Sequence, residues 1–128
     1  MVNKIISAMN FTKLVPSVFY ADINIGIKTF IDCLEFTMGH QELNSKAPYC
    51  VVNKGALTVM IFEDKAQAEN DHPELRLETD NIEEVYQKVA STFPDMLHPN
   101  LNKVTLRPWG AKEFAIIDGQ IGIRVMQW

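Results

Sequence analysis

Between His72 and Glu78 the chain reads HPELRLE. His72, Glu74, Arg76 and Glu78 alternate with Leu75 and Leu77, so in an extended strand the ionisable side chains share one face and the leucines the other. Such a face can pair internally, Arg76 with Glu74 or Glu78, or it can orient a cationic or hydrogen-bonding ligand. In apolar surroundings Glu74 could also serve as a general base, because burial disfavours its charged form. One carboxylate without a partner does not specify a reaction, and no residue is assigned a catalytic role. Trp109 lies in RPWGAKEF, at a turn where strand propensity does not call for a large ring, which suits a pocket cap or an interface. Cys33 and Cys50 have neither metal-ligand spacing nor a disulfide-rich context and read as small core residues. His40 and His98 stand in segments of poor periodicity and read as surface or loop histidines.

These residues need elements to hold them. Lys13 to Asp22 reads as a strand, and Ile23, Ile27, Phe30, Ile31 and Leu34 then recur at helical spacing behind Asp22 as N-cap. His72 to Asp80 reads as a second such strand. Ile82, Val85, Tyr86, Val89 and Phe93 mark a second helix, with Asp80 and Glu83 spaced as a capping box. The helical positions correspond in pairs, Ile23 with Ile82 and Phe30 with Val89, at a constant offset (82 − 23 = 59; 89 − 30 = 59). Three short strands follow each helix, and CVVNKGALTVMIF around Gly55 matches FAIIDGQIGIRVM around Gly119, with a glycine at each hairpin turn.

The expectation is an α+β fold of two βαβββ modules, about 11–64 and 72–128, within one domain over 9–128 preceded by an extension at 1–8. One four-stranded sheet with one helix leaves a face uncovered. Two modules side by side would form a curved eight-stranded mixed sheet, with helices outside and a concave pocket inside. A chain of 128 residues can bury such a core without metal or disulfide staples. The net charge of −4 and the lack of a Lys/Arg cluster exclude a basic nucleic-acid footprint. No apolar run is long enough to span a membrane, and the first residues, MVNKIISAMN, do not read as a signal peptide, so a soluble cytoplasmic protein is expected.

FYADINIGIKTFIDCLEF, ELRLETDNIEEVYQKVA and PWGAKEF, with the Asp118-Gly119 turn, together resemble the glyoxalase/bleomycin-resistance/extradiol-dioxygenase superfamily. The Pro-Trp-Gly turn followed by a basic residue, Glu and Phe is most similar to the bleomycin-resistance branch, from which Lys112 in place of Arg and a shortened turn depart. The resemblance implies a place for a metal ion. Metal-dependent members draw ligands from strand positions seven residues before the helix-capping residue and four after the turn glycine, here Val15, Glu74, Val59 and Ile123. Three of these have no lone pair to give, so neither metal nor other cofactor is expected; a shift of one residue in the last strand would place Arg124 there instead. Glu74 among Val15, Val59 and Ile123 then reads as a carboxylate in an apolar pocket. The resemblance further implies a homodimer with clefts completed at a two-fold interface, and a drug groove in which the matching Trp takes part. Trp109, Phe19 and Tyr49 are accordingly the stacking candidates, and Glu74, Arg76 and His72 the polar ones. The expected function is metal-independent binding of a small aromatic or cationic molecule, with sequestration as a role such binding could serve. A metal-dependent lyase, isomerase or dioxygenase and a ligand-free interaction module are the alternatives.

Overall fold

The computed structural model describes residues 8–128, so most of the expected 1–8 extension lies outside the described residues. The first module runs β1 (Ser17–Tyr20), α1 (Ile23–Ile27, continued by a π-helical stretch Lys28–Cys33), β2 (Thr37–Glu42), β3 (Tyr49–Lys54) and β4 (Leu57–Glu63). A short helix α2 (Lys65–Asn70), which the apolar periodicity does not announce, joins it to the second module. There follow β5 (Glu74–Glu78), α3 (Ile82–Thr92), a 3-10 turn (Pro94–Met96), β6 (Thr105–Leu106), β7 (Lys112–Ile117) and β8 (Gly122–Gln127). All eight expected strands are present, hydrogen-bonded as two sheets of four, in the orders β1-β4-β3-β2 and β5-β8-β7-β6. In each sheet the first strand is parallel to the last and the remaining pairs are antiparallel.

Local chemistry explains most boundaries. The Asp22 carboxylate accepts from the Asn24 amide at 3.0 Å and starts α1 as expected. The capping box expected at Asp80 and Glu83 does not form. Asn81 is the N-cap residue, without a side-chain cap bond, and the Gln127 side chain reaches from β8 to accept from the Ile82 amide at 2.9 Å. A long-range partner has taken the place of the local one. Gly55 and Gly119 turn their hairpins at φ +58° and +90°, where a side chain would be strained. Gly26 is required for a different reason: a Cβ there would lie 2.5 Å from Cε1 of Tyr20, so α1 seats against β1 only without one.

Helices α1 and α3 each pack on one face of their own sheet. Ile61 approaches Gly26 of α1, and Tyr86 of α3 meets Phe114 edge-on at 5.2 Å. Val18, Val52, Val59 and Ile61 of the first module and Phe114, Ile116, Ile123 and Val125 of the second belong to one buried cluster. The helices also touch each other, with Lys28 Nζ 6.0 Å from the Phe93 ring centroid and Lys88 Nζ 3.2 Å from Glu35. Across the modules, Asp118 accepts from the Tyr20 hydroxyl at 2.6 Å and the Thr29 hydroxyl at 2.7 Å. Burial and the Asp118 charge both push the Tyr20 hydroxyl pKa up, keeping it a neutral donor. The opposite face of each sheet looks away from this core.

Candidate functional site

The register decides which side chains share the open faces. In the second sheet, Glu74 lies opposite Gly122, Arg76 opposite Arg124, Ala115 opposite Arg124, and Glu113 opposite Met126. Directly opposed residues point to the same side, so Glu74, Arg76, Arg124, Glu113 and Ala115 share the face away from α3. Ile123 is opposite Leu75 and Ile116, on the helix side, and is buried. Val59 is opposite Val52, also toward the core. The expectation that Val59 and Ile123 flank Glu74 is therefore corrected: each strand is offset by one residue, and Met60 and Arg124 face outward.

Four of these residues form a closed ionic group. Glu74 Oε1 lies 3.1 Å from Arg76 Nη2 and 3.2 Å from Arg124 Nε, while Arg124 Nη1 donates to Glu113 Oε1 at 3.2 Å and Arg76 Nη1 lies 3.9 Å from the same oxygen. Two carboxylates and two guanidiniums sum to zero charge. Glu113 is fully buried, at 0 % exposure, which is tolerable for a carboxylate only because its oxygens are taken. Its second oxygen accepts the indole N–H of Trp109 at 2.6 Å. Trp109, half exposed at 50 %, thus has its polar edge fixed, and its ring carries the Arg107 guanidinium 4.8 Å from the centroid.

Beside this group lies a hollow of about 380 Å³, lined among others by His72, Glu74, His98, Arg107, Ala115, Ile117 and Gly122. That volume is at the lower end of small-molecule sites. Of the sequence candidates, His72 and Glu74 line it; Arg76 and Trp109 stand in the ionic group at its edge. Phe19 and Tyr49 lie on the other sheet, where Phe62 stacks between them, with ring centroids 5.5 Å from Phe19 and 5.8 Å from Tyr49. His40 extends the row, 5.7 Å from Tyr49. The six candidates therefore fall into two groups on separate sheets. Glu113, Arg124, Arg107, His98 and Phe62 were not among the candidates. The signal available for Glu113 and Phe62 was the offset between the two hairpins (119 − 55 = 64), which aligns each strand pair once its parity is anchored.

The fold itself has known counterparts. A bleomycin-binding protein complexed with bleomycin is 17% identical at a TM-score of 0.69, covering 92% of this chain and 99% of that one. A bleomycin resistance determinant encoded on the transposon Tn5 is 18% identical at 0.68, covering 91% and 98%. A glyoxalase/bleomycin resistance protein/dioxygenase superfamily member from Sphaerobacter thermophilus is 12% identical at 0.67, covering 92% and 98%. The chain has the glyoxalase/bleomycin-resistance fold. These structures match it nearly end to end, in agreement with the resemblance read from the motifs. No protein-family model matches the chain, and no curated protein matches it by sequence. Lactoylglutathione lyase from Agrobacterium tumefaciens, at 11% identity and 0.69, shares the fold as well, so the fold by itself does not choose between binding and catalysis.

The metal site that this fold family implies does not suit these residues. With the register corrected, the outward strand positions are Met60, Glu74 and Arg124, Val15 lies ahead of β1, and Arg124 sets a guanidinium against Glu74 at 3.2 Å. A hard divalent ion needs several oxygen or nitrogen ligands and would be repelled by that cation.

Proposed function

We propose that this chain is a metal-independent small-molecule-binding protein that holds an organic ligand on the open faces of its sheets, with sequestration as its role. The observation that carries this is the hollow over β5, β8 and β7, which combines apolar walls with hydrogen-bonding groups and lies away from the core. His72 and Glu74 are the polar contacts in this reading. Phe19 and Tyr49 offer ring faces to an aromatic part, and Trp109 and Arg76 brace the edge. Of the two ligand classes expected, the aromatic one has the better support, because the Glu74 carboxylate is already engaged by Arg76 and Arg124. The bleomycin-binding neighbours are consistent with ligand capture on this fold.

A homodimer belongs to the same proposal. Phe11 and Leu14 are 86 % and 89 % exposed on a segment that precedes β1, and exposed apolar side chains so close together favour burial against a second copy. The cytoplasm suits two buried unpaired thiols, and no helix among the described residues is long and apolar enough to cross a membrane. The test is a thermal-shift screen of organic compounds with metal analysis of protein purified without chelator. Stabilisation by organic ligands and by no divalent ion is expected. One equivalent of metal, lost on Glu74→Ala, would overturn the reading. Sedimentation should show a dimer at micromolar concentration that Phe11→Asp/Leu14→Asp dissociates; a monomeric parent chain would remove the shared-cleft arrangement.

A further inference from the structure

The charges around the hollow leave one over. Glu74, Arg76, Arg124 and Glu113 neutralise one another, whereas Arg107, which lines the hollow, has no carboxylate partner among the described residues. Its Nε is buried without any hydrogen-bond partner, a costly state for a cationic donor. The side chain is nevertheless held in place. Trp109 supports it from one side, and the turn beneath is closed by Arg107 N–H donating to the Ala111 carbonyl at 2.8 Å and Gly110 N–H to the Arg107 carbonyl at 2.9 Å.

The neighbouring wall adds a second donor. His98 Nδ1 accepts the Asn100 backbone N–H at 3.0 Å, so the neutral ring must carry its proton on Nε2, where it is free to donate. Gly122 keeps the floor open, since a Cβ there would meet no atom within 4 Å. Ala115, Ile117 and Leu101 supply apolar lining.

We propose that the hollow takes a small organic monoacid, its carboxylate on the Arg107 fork with His98 as second donor and its apolar body over Gly122 and Ala115. The planar guanidinium matches a carboxylate through two parallel N–H···O bonds, and one surplus positive charge matches one negative charge. Trp109 acts here as the platform that positions Arg107 rather than as the surface the ligand stacks on. This inference rests on the small-molecule reading above and specifies its ligand.

The experiment titrates benzoate, benzamide and benzylamine into the full-length chain and follows amide and Arg Nε–H signals by NMR. Benzoate should shift Gly122, Ala115 and the Arg107 Nε–H, and bind about tenfold or more tightly than benzamide, the worth of one charge-assisted contact. Arg107→Gln should bring benzoate down to the benzamide level, Arg107→Lys should fall between, and Gly122→Leu should abolish binding by filling the floor. Equal binding of benzoate and benzamide, or preference for benzylamine, overturns the anion assignment while leaving small-molecule binding in place. If none of the three shifts the Gly122 region, a mixed fragment set separates the two ideas. A hit there that is neutral or cationic refutes only the acid proposal, and no hit at all refutes both. Because the benzoate–benzamide comparison uses the unaltered chain, it stands even if Arg107→Gln fails to fold.

Discussion

Replacing Glu113 by Gln removes one charge and keeps the shape, and its cost can be worked from the contacts. The carboxylate accepts on both oxygens, from the Trp109 indole on one and from Arg124 on the other, at complete burial. An amide has only one oxygen. Whichever way the new side chain is turned, its NH₂ faces either the indole N–H or a guanidinium N–H, so one donor meets another. Loss of a hydrogen bond to a charged group costs about 1.5–3 kcal/mol, and breaking a buried ion pair about 3–5 kcal/mol. Arg124 keeps Glu74 as a partner and is partly exposed, which places the expected destabilisation at the lower end, about 2–3 kcal/mol. For a chain of this length that is a fall in Tm of roughly 8–12 °C. Urea unfolding followed by far-UV circular dichroism should show a lower midpoint at unchanged slope.

The decisive comparison is a double-mutant cycle with Trp109→Phe. Without the indole N–H, the introduced amide can turn its oxygen to Arg124 with no opposing donor, so the penalty of Glu113→Gln should shrink by about 1 kcal/mol or more. A cost below about 0.5 kcal/mol in the parent chain, within the range of ordinary surface changes, or a cycle without coupling, would refute the claim that one buried carboxylate ties tryptophan and arginine together.

Gly26→Ala should destabilise the chain by about 1–2 kcal/mol despite the better helix propensity of alanine, because the new methyl meets a Tyr20 ring pinned by Asp118; calorimetry would check it. Gln127→Leu should cost about 1 kcal/mol by uncapping α3, with increased hydrogen exchange confined to its first turn. Burial pushes the Cys33 thiol up to about 11, so native protein at pH 8 should leave it unmodified by a disulfide reagent, with only about one thiol in a thousand ionised. Since its folded pKa exceeds the ordinary 9.0, the native state holds that proton more firmly. Stability should be unaffected by this group below pH 9 and decline as pH rises through 9 to 11, measurable by urea midpoints at pH 8, 10 and 11.

Periodicity carried the fold because it is a local signal. Alternation at Leu75 and Leu77 and helical spacing at Ile82, Val85 and Val89 each report which face is buried, and the structure buries or half-buries them on the core side. The Asp22 cap was legible for the same reason, its partner being two residues away. The α3 cap was not, since Gln127 comes from 45 residues downstream. Strand parity in β8 failed by one residue because counting four from Gly119 ignores how the turn is built. Asp118 accepts from the amides of Gln120 and Ile121, both at 2.9 Å, and the strand begins only at Gly122. The pairing of Glu113 with Trp109 lay within four residues, yet whether that glutamate faced inward depended on the same register.

The register also shows how one module used twice yields two unlike faces. The pair Ser17↔Met60 in the first sheet corresponds to Arg76↔Arg124 in the second (76 − 17 = 59; 124 − 60 = 64). By the same offsets Phe19 corresponds to Glu78, Phe62 to Met126 and Tyr49 to Glu113. The aromatic row of the first sheet and the ionic group of the second thus coincide only at Tyr49 and Glu113, while Arg76 and Arg124 stand where the first sheet carries Ser17 and Met60. Backbone pairing is indifferent to the exchange, because these side chains point away from the core and take no part in the packing of α1 or α3. Each face was free to acquire its own chemistry at little cost to the fold. In the first sheet the outward face carries stacked rings, and in the second a neutralised cluster braces a tryptophan, whose ring in turn carries the Arg107 guanidinium.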